Sequence, residues 1–173
     1  MFRSTGARIG LLGLAALAGC AASQPGEELA RPQPVFDVAA FFAGRTHGDA
    51  TLKIIFKDPE QVRVEGNGHA TPDGALILDQ VVRRGTQPPE TRQWRFRALG
   101  ANRYAGTLTD ATGPVQGNVQ GNMLHLRYPM KGGVTAEQWI YLQPGGRTAL
   151  NRMRITKLGI TVGRLDETIR KLD

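Results

Sequence analysis

The chain has 173 residues, of which 40% are hydrophobic and 6% aromatic, and a formal net charge of +7. That length suits one domain, and the basic residues are scattered rather than gathered into the stripe or motif that grips nucleic acid, which argues against nucleic acid as a partner. Cys20 is the only cysteine, so no disulfide forms within a monomer. In chain order, Arg3 and Arg8 precede a short apolar run from Ile9 to Ala18. A hydrocarbon core takes about 20 residues to cross. The run is too short for that, and residues 1–19 read as a signal peptide.

The leader ends in Leu17-Ala18-Gly19-Cys20, which is similar to the lipobox of bacterial lipoproteins. That resemblance implies cleavage before Cys20, a diacylglycerol on its thiol and an acylated new amine. Lipidation would also account for a lone thiol in an exported chain, and two or more acyl chains anchor firmly at about 0.8 kcal/mol per buried methylene. Ala21 stands where an Asp marks inner-membrane retention in enteric bacteria, so the expectation is an outer-membrane protein facing the periplasm. Residues 20–34 are poor in apolar side chains and contain Pro25, Pro32 and Pro34. They are expected to form a flexible, lipidated tether. Without Arg3 and Arg8 the mature chain keeps 20 basic against 15 acidic residues, an excess of the kind a solvated face carries.

Residues 35–173 form the expected domain. Val35 to Gly44 reads as a helical turn or two that plugs one end of it. From there the pattern is a meander of short strands. Thr51 to Lys57 sets Leu52, Ile54 and Phe56 on one face, and Gln61 to Glu65 sets Val62 and Val64 inward. Pro72-Asp73-Gly74 is a turn, followed by Ala75 to Arg83, apolar on both faces. After the break at Gly85 to Pro89, Thr91 to Ala98 alternates Trp94, Phe96 and Ala98 against Gln93, Arg95 and Arg97, a period-two pattern. Arg103 to Thr109 and Pro114 to Gly121 flank an Asp110 to Gly113 turn. Met123 to Tyr128 places Leu124, Leu126 and Tyr128 inward and His125 outward. A strand around Glu137 to Gln143 and another from Arg147 to Lys157 lead through Gly159 into Ile160 to Leu165. A short amphipathic helix is expected from Asp166. The sum is an all-β chain whose antiparallel meander of about 8–10 strands closes into a barrel, which removes unpaired edges.

Three features at the start of the domain, the Phe36-Asp37 pair, the short helix and Gly44, resemble the opening of lipocalins, although Arg45-Thr46 replaces the tryptophan of their first strand. A fuller resemblance is to the bacterial lipoprotein family catalogued as domain of unknown function 3833. It rests on Phe41-Phe42-x-Gly44-Arg45-Thr46-x-Gly48, Arg92-x-Trp94, Tyr104-x-Gly106-x-Leu108-x-Asp110, Gln138-Trp139-x-Tyr141-Leu142, and Asn151-Arg152-Met153 with Lys157-x-Gly159-x-x-Val162. The resemblance implies a lipocalin-like barrel without an established activity, and leans toward a lipid ligand.

Catalytic signatures do not emerge. His47, His69 and His125 fall in no metal-ligand spacing, no nucleophile elbow or phosphate loop occurs, and nothing in the sequence brings the carboxylates of Asp79 and Glu137 together. Gly66-Asn67-Gly68 reads as a bulge or turn. The expectation is a non-enzyme with no cofactor and no metal. Phe56, Trp94, Phe96, Tyr104, Tyr128, Trp139 and Tyr141 are the candidate lining of a cavity, since a barrel of this size holds either packed side chains or one small ligand. Two readings follow. The first is a carrier of an apolar ligand, a lipid or fatty acyl chain, inside the barrel. The second is a structural lipoprotein with a packed barrel that docks on another envelope component.

Overall fold

The computed structural model describes residues 24–173; the expected signal peptide and the lipidated Cys20 lie outside the described residues. Asp37 opens the only α-helix among them, α1 (Val38–Phe42), by accepting a hydrogen bond from the Ala40 amide at 2.9 Å, as an N-cap does. No helix among the described residues is long and apolar enough to cross a membrane.

Ten antiparallel strands follow: β1 (Gly44–Ile54), β2 (Glu60–Ala70), β3 (Leu76–Arg84), β4 (Glu90–Gly100), β5 (Arg103–Leu108), β6 (Val115–Gln120), β7 (Met123–Met130), β8 (Val134–Leu142), β9 (Thr148–Lys157) and β10 (Ile160–Lys171). Each pairs with the next, and β10 returns to pair with β1, so the barrel closes. The closing seam sets Leu52 against Leu165 and Gly48 against Ile169. Period-two alternation then decides what is inside: β2 buries Val62, Val64, Gly66 and Gly68 between exposed neighbours, and β4 buries Trp94 and Phe96.

Up-and-down connectivity puts alternate loops at opposite ends. One end is stopped by α1, whose Phe41 and Phe42 join Phe36 in a cluster of rings 5.0 to 6.2 Å apart and pack with Leu76, Leu78 and Phe96. Gly68 makes the stop fit: a Cβ there would overlap the Phe42 carbonyl. The Gly-Asn-Gly run is therefore the seat of the plug. Loops 55–59, 85–89, 109–114, 131–133 and 158–159 surround the other end, the mouth.

Three expectations need correction. The first strand begins at Gly44, not Thr51, because Thr46, Gly48 and Ala50 are inward but too small to leave an apolar signature. No helix forms after Asp166, since β10 runs on to Lys171 with Leu165, Glu167 and Ile169 on its inner side. A spacing of four residues fits a strand as well as a helix, and here two neighbouring strands supply the hydrogen bonds. The leash expected over residues 20–34 is, from Gln24 onward, a strap along the outer wall. Asn122, 2% exposed, accepts from the Arg31 amide at 2.7 Å and donates to the carbonyls of Leu29 (3.1 Å) and Leu142 (2.9 Å). Leu29 then covers Met123, Trp139 and Tyr141, and the Tyr141 hydroxyl accepts from Gln24 (2.8 Å) and donates to the Pro25 carbonyl (2.9 Å).

Candidate functional site

The interior is stratified. Beneath the plug it is apolar. Halfway along, the strands aim polar side chains inward, and these find one another. The Gln80 carbonyl oxygen accepts from Arg92 Nε at 2.7 Å and from Trp94 Nε1 at 2.8 Å. Across the barrel, Gln138 donates to the Tyr128 hydroxyl, while Asn151 Nδ2 donates to Gln138 (3.0 Å) and to the Glu167 carboxylate (2.8 Å). Gly48 leaves the space that this carboxylate fills. Burial holds Glu167 above its usual pKa, partly opposed by the Asn151 hydrogen bond and the Arg92 charge. Burial likewise raises the Tyr128 phenol. The Asn151 carbonyl oxygen is buried and accepts no hydrogen bond from the described residues. Between these groups lies a cavity of about 30 Å³, bounded by Gln80, Arg92, Trp94, Gln138, Asn151 and Glu167, room for a water molecule and nothing larger.

Toward the mouth the interior opens into two lobes that share Arg84. One, about 340 Å³, has Leu52 and Ile54 as its floor and Lys57, Pro59 and Glu60 at its rim. The other, about 310 Å³, is walled by Val82, Met130 and Val134, with Arg92 at its base and Glu90, Asp110 and Lys131 around it. Arg84 is held between them by Glu60 at 2.8 Å. Ala50, Val62, Val64 and Val82 form the apolar collar below, against Ile155 and Leu165. Arg92 thus borders both the buried cavity and a mouth lobe. A larger concavity, about 810 Å³, lies on the outer wall of β1 to β4 among outward residues such as His47, Glu65, Asn67 and Asp79. It is an open saddle whose lining is more apolar than polar, and size alone does not make it a site; the interior adds buried polar groups that converge on one cavity.

The aromatic candidates divide. Trp94, Phe96 and Tyr128 are brought together inside, with Trp94 stacked on Phe96 at 5.3 Å and edge-on to Tyr128 at 5.3 Å. Tyr104 packs at the margin of this cluster, half-buried. Phe56 is not in the lining: it sits in the turn after β1 at φ 62° and is fully exposed. Trp139 and Tyr141 face outward from β8, beneath the strap. Trp139 is sandwiched by the His125 ring at 5.1 Å and the Arg154 guanidinium at 5.0 Å. Burial alone would push Glu137 up, but hydrogen bonds from Arg154 (2.8 Å) and Arg127 (2.9 Å) hold it below its usual value. Burial holds His125 low, partly opposed by Glu137. This outer cluster is an ion-pair network centred on Glu137, in which His125 Nε2 and Arg154 Nε are buried without a hydrogen-bond partner among the described residues, and Asp79 is on a different face of the barrel from Glu137. Gln80, Arg92, Gln138, Asn151 and Glu167 are not among the cavity-lining candidates read from the sequence. The available signal was parity: Gln80 is in register with Leu78 and Val82, and Arg92 with Trp94. Among the described residues no cluster of His, Cys, Asp or Glu is arranged to hold a metal ion.

The family model described as "Protein of unknown function (DUF3833)" matches residues 14–171. No curated protein matches the chain in sequence. Among solved structures the chain is similar to an S-type phycobiliprotein lyase from Guillardia theta, with a TM-score of 0.63 at 10% identity over 80% of this chain and 94% of that one. It is also similar to a protein of unknown function of the DUF3598 family from Nostoc punctiforme, with a TM-score of 0.59 at 13% identity over 81% of this chain and 50% of that one. At such identities the likeness is one of fold, a lipocalin-like barrel.

Proposed function

We propose that this chain, which belongs to the DUF3833 family, is a lipid-anchored envelope protein whose barrel mouth takes up an amphipathic, lipid-like ligand. The reading rests on one observation above the others: Arg92 stands at the edge of the buried polar layer and in a mouth lobe that sets Val82, Met130 and Val134 among charged side chains. A ligand lowered into the lobe would meet a cation at its deepest point while its chain lies on Val82, Met130 and Val134. The lobe volumes, 310 and 340 Å³, reach the lower end of the range for small-molecule sites. Anchoring through Cys20, with Ala21 behind it, would hold the domain at the periplasmic face of the outer membrane. The role is binding rather than catalysis; likeness to a lyase at this identity carries no activity across.

The rival reading, a packed barrel that docks on another envelope component, draws support from the 30 Å³ left between the polar side chains. Tryptophan fluorescence separates the two. Trp139 lies outside the barrel, so Trp139→Phe leaves Trp94 as the only indole, 5.9 Å from the Arg92 guanidinium. Titration with fatty acids and lysophospholipids should give a saturable change in Trp94 emission. Arg92→Gln should weaken it roughly tenfold or more, as loss of a charge-assisted hydrogen bond does. If no saturable response appears up to the solubility limit of each lipid, the carrier reading fails and the packed barrel takes its place.

A further inference from the structure

The mouth carries a second feature that the ligand reading does not use. Two hairpin tips stand side by side on its rim, the β1–β2 turn and the β9–β10 turn, tied by the Ile55 amide donating to the Val162 carbonyl at 3.0 Å. Their outermost side chains are large and apolar. Phe56 is 101% exposed, Leu158 92%, Ile160 67% and Ile55 48%. Phe56 and Leu158 also hold left-handed backbone, at φ 62° and 49°, a conformation that costs bulky residues about 1 kcal/mol or more. Neither side chain gains packing among the described residues in return. Scattered exposed leucines need no explanation, but four large apolar groups on two linked tips make a patch.

The charge around the patch is predominantly basic. Lys53 and Arg164 are paired across the β1–β10 seam, Lys57 follows Phe56, and Lys157 precedes Leu158; all four are exposed. None takes part in an ion pair among the described residues. Asp58 is the acidic neighbour on these turns. Apolar tips with a basic collar are complementary to a bilayer surface, where side chains such as Phe and Leu enter the acyl boundary and Lys and Arg meet anionic headgroups.

We propose that the Ile55–Phe56 and Leu158–Ile160 tips dock on an anionic lipid surface, so that the barrel mouth faces the bilayer. The inference stands on the rim alone and holds whether or not the mouth binds a ligand.

The test uses the full-length protein reconstituted with vesicles of phosphatidylcholine, with or without phosphatidylglycerol, and carrying Phe56→Trp. Emission of the new indole should shift to shorter wavelength and be quenched by phospholipids brominated on the acyl chain. The unmodified protein, whose Trp94 and Trp139 are buried, supplies the background. Quenching should need phosphatidylglycerol and fade at high salt. Lys53→Gln and Lys157→Gln should each lower the docked-to-free ratio roughly fivefold, the effect of one basic residue near an anionic surface. Emission from the introduced indole that lipid leaves unchanged overturns the proposal. So does a shift that appears without lipid and grows with protein concentration, which would assign the tips to contact between copies. The fatty-acid titration of Trp94 is a separate readout, so failure here leaves the ligand reading untouched, and the reverse.

Discussion

Replacing Glu167 with glutamine isolates the effect of a carboxyl buried in the polar layer. The variant keeps the side-chain shape and an oxygen to accept from Asn151 Nδ2, 2.8 Å away in the native chain, and removes the titrating proton. Burial raises this carboxyl above its ordinary value of 4.5, and the Asn151 hydrogen bond and Arg92 charge only partly offset it. The sign follows from which state gives up its proton first. Well below pH 4.5 both folded and unfolded chains are protonated, and the group adds no pH dependence. As the pH rises through the window above 4.5, the unfolded chain ionises while the folded chain retains its proton, so folding loses stability with increasing pH. One proton sets the limiting slope at about 1.4 kcal/mol per pH unit, and the loss levels off once the folded carboxyl has also ionised. Urea unfolding of both proteins at a series of pH values gives the difference curve. The wild type should fall relative to Glu167→Gln through that window, and the variant should be the more stable at neutral pH. A difference that stays flat from about pH 4 to pH 8, or rises, would refute the assignment of Glu167 as a carboxyl held protonated by its surroundings.

Other perturbations probe the strap, the plug and the anchor. Asn122→Ala removes three hydrogen bonds, two to the strap and one to the Leu142 carbonyl of β8; at about 1 kcal/mol each it should cost roughly 3 kcal/mol in urea unfolding and expose the Arg31 amide to hydrogen exchange. Gly68→Ala drives a methyl into the Phe42 carbonyl and should destabilise by about 1–3 kcal/mol, with the melting temperature as readout. Trp139→Phe should leave any lipid-induced change in emission intact, because that indole lies under the strap and not in the barrel. Cys20→Ser should abolish incorporation of radiolabelled palmitate, since serine forms no thioether.

Fold class was legible because alternation is local. In β4 and β7 apolar residues fall on every second position, and the structure turns those positions inward. The errors have non-local causes. β8 is buried on both faces, and its outer cover, Leu29, comes from more than a hundred residues upstream. Nothing near Trp139 or Tyr141 distinguishes an outer face under a strap from an inner face. Phe56 continues the parity of Leu52 and Ile54, but β1 ends at Ile54 and the chain turns through left-handed backbone before Phe56 can point in. The polar layer was not legible as a lining because inward glutamine, arginine and glutamate look like solvated positions until the strands around them are closed into a barrel. Yet Arg92, Gln138 and Asn151 each belong to a motif on which the family resemblance rests, and the barrel brings all three to one depth.

That depth constrains how any occupant would lie. An apolar chain pushed past Arg92 would strip Gln80, Gln138, Asn151 and Glu167 of their hydrogen bonds, and each buried group left unpaired costs about 1–3 kcal/mol. A polar group at the same depth meets a different balance: it finds the Arg92 cation. An amphipathic ligand would therefore enter with its polar group leading and its chain trailing toward the mouth.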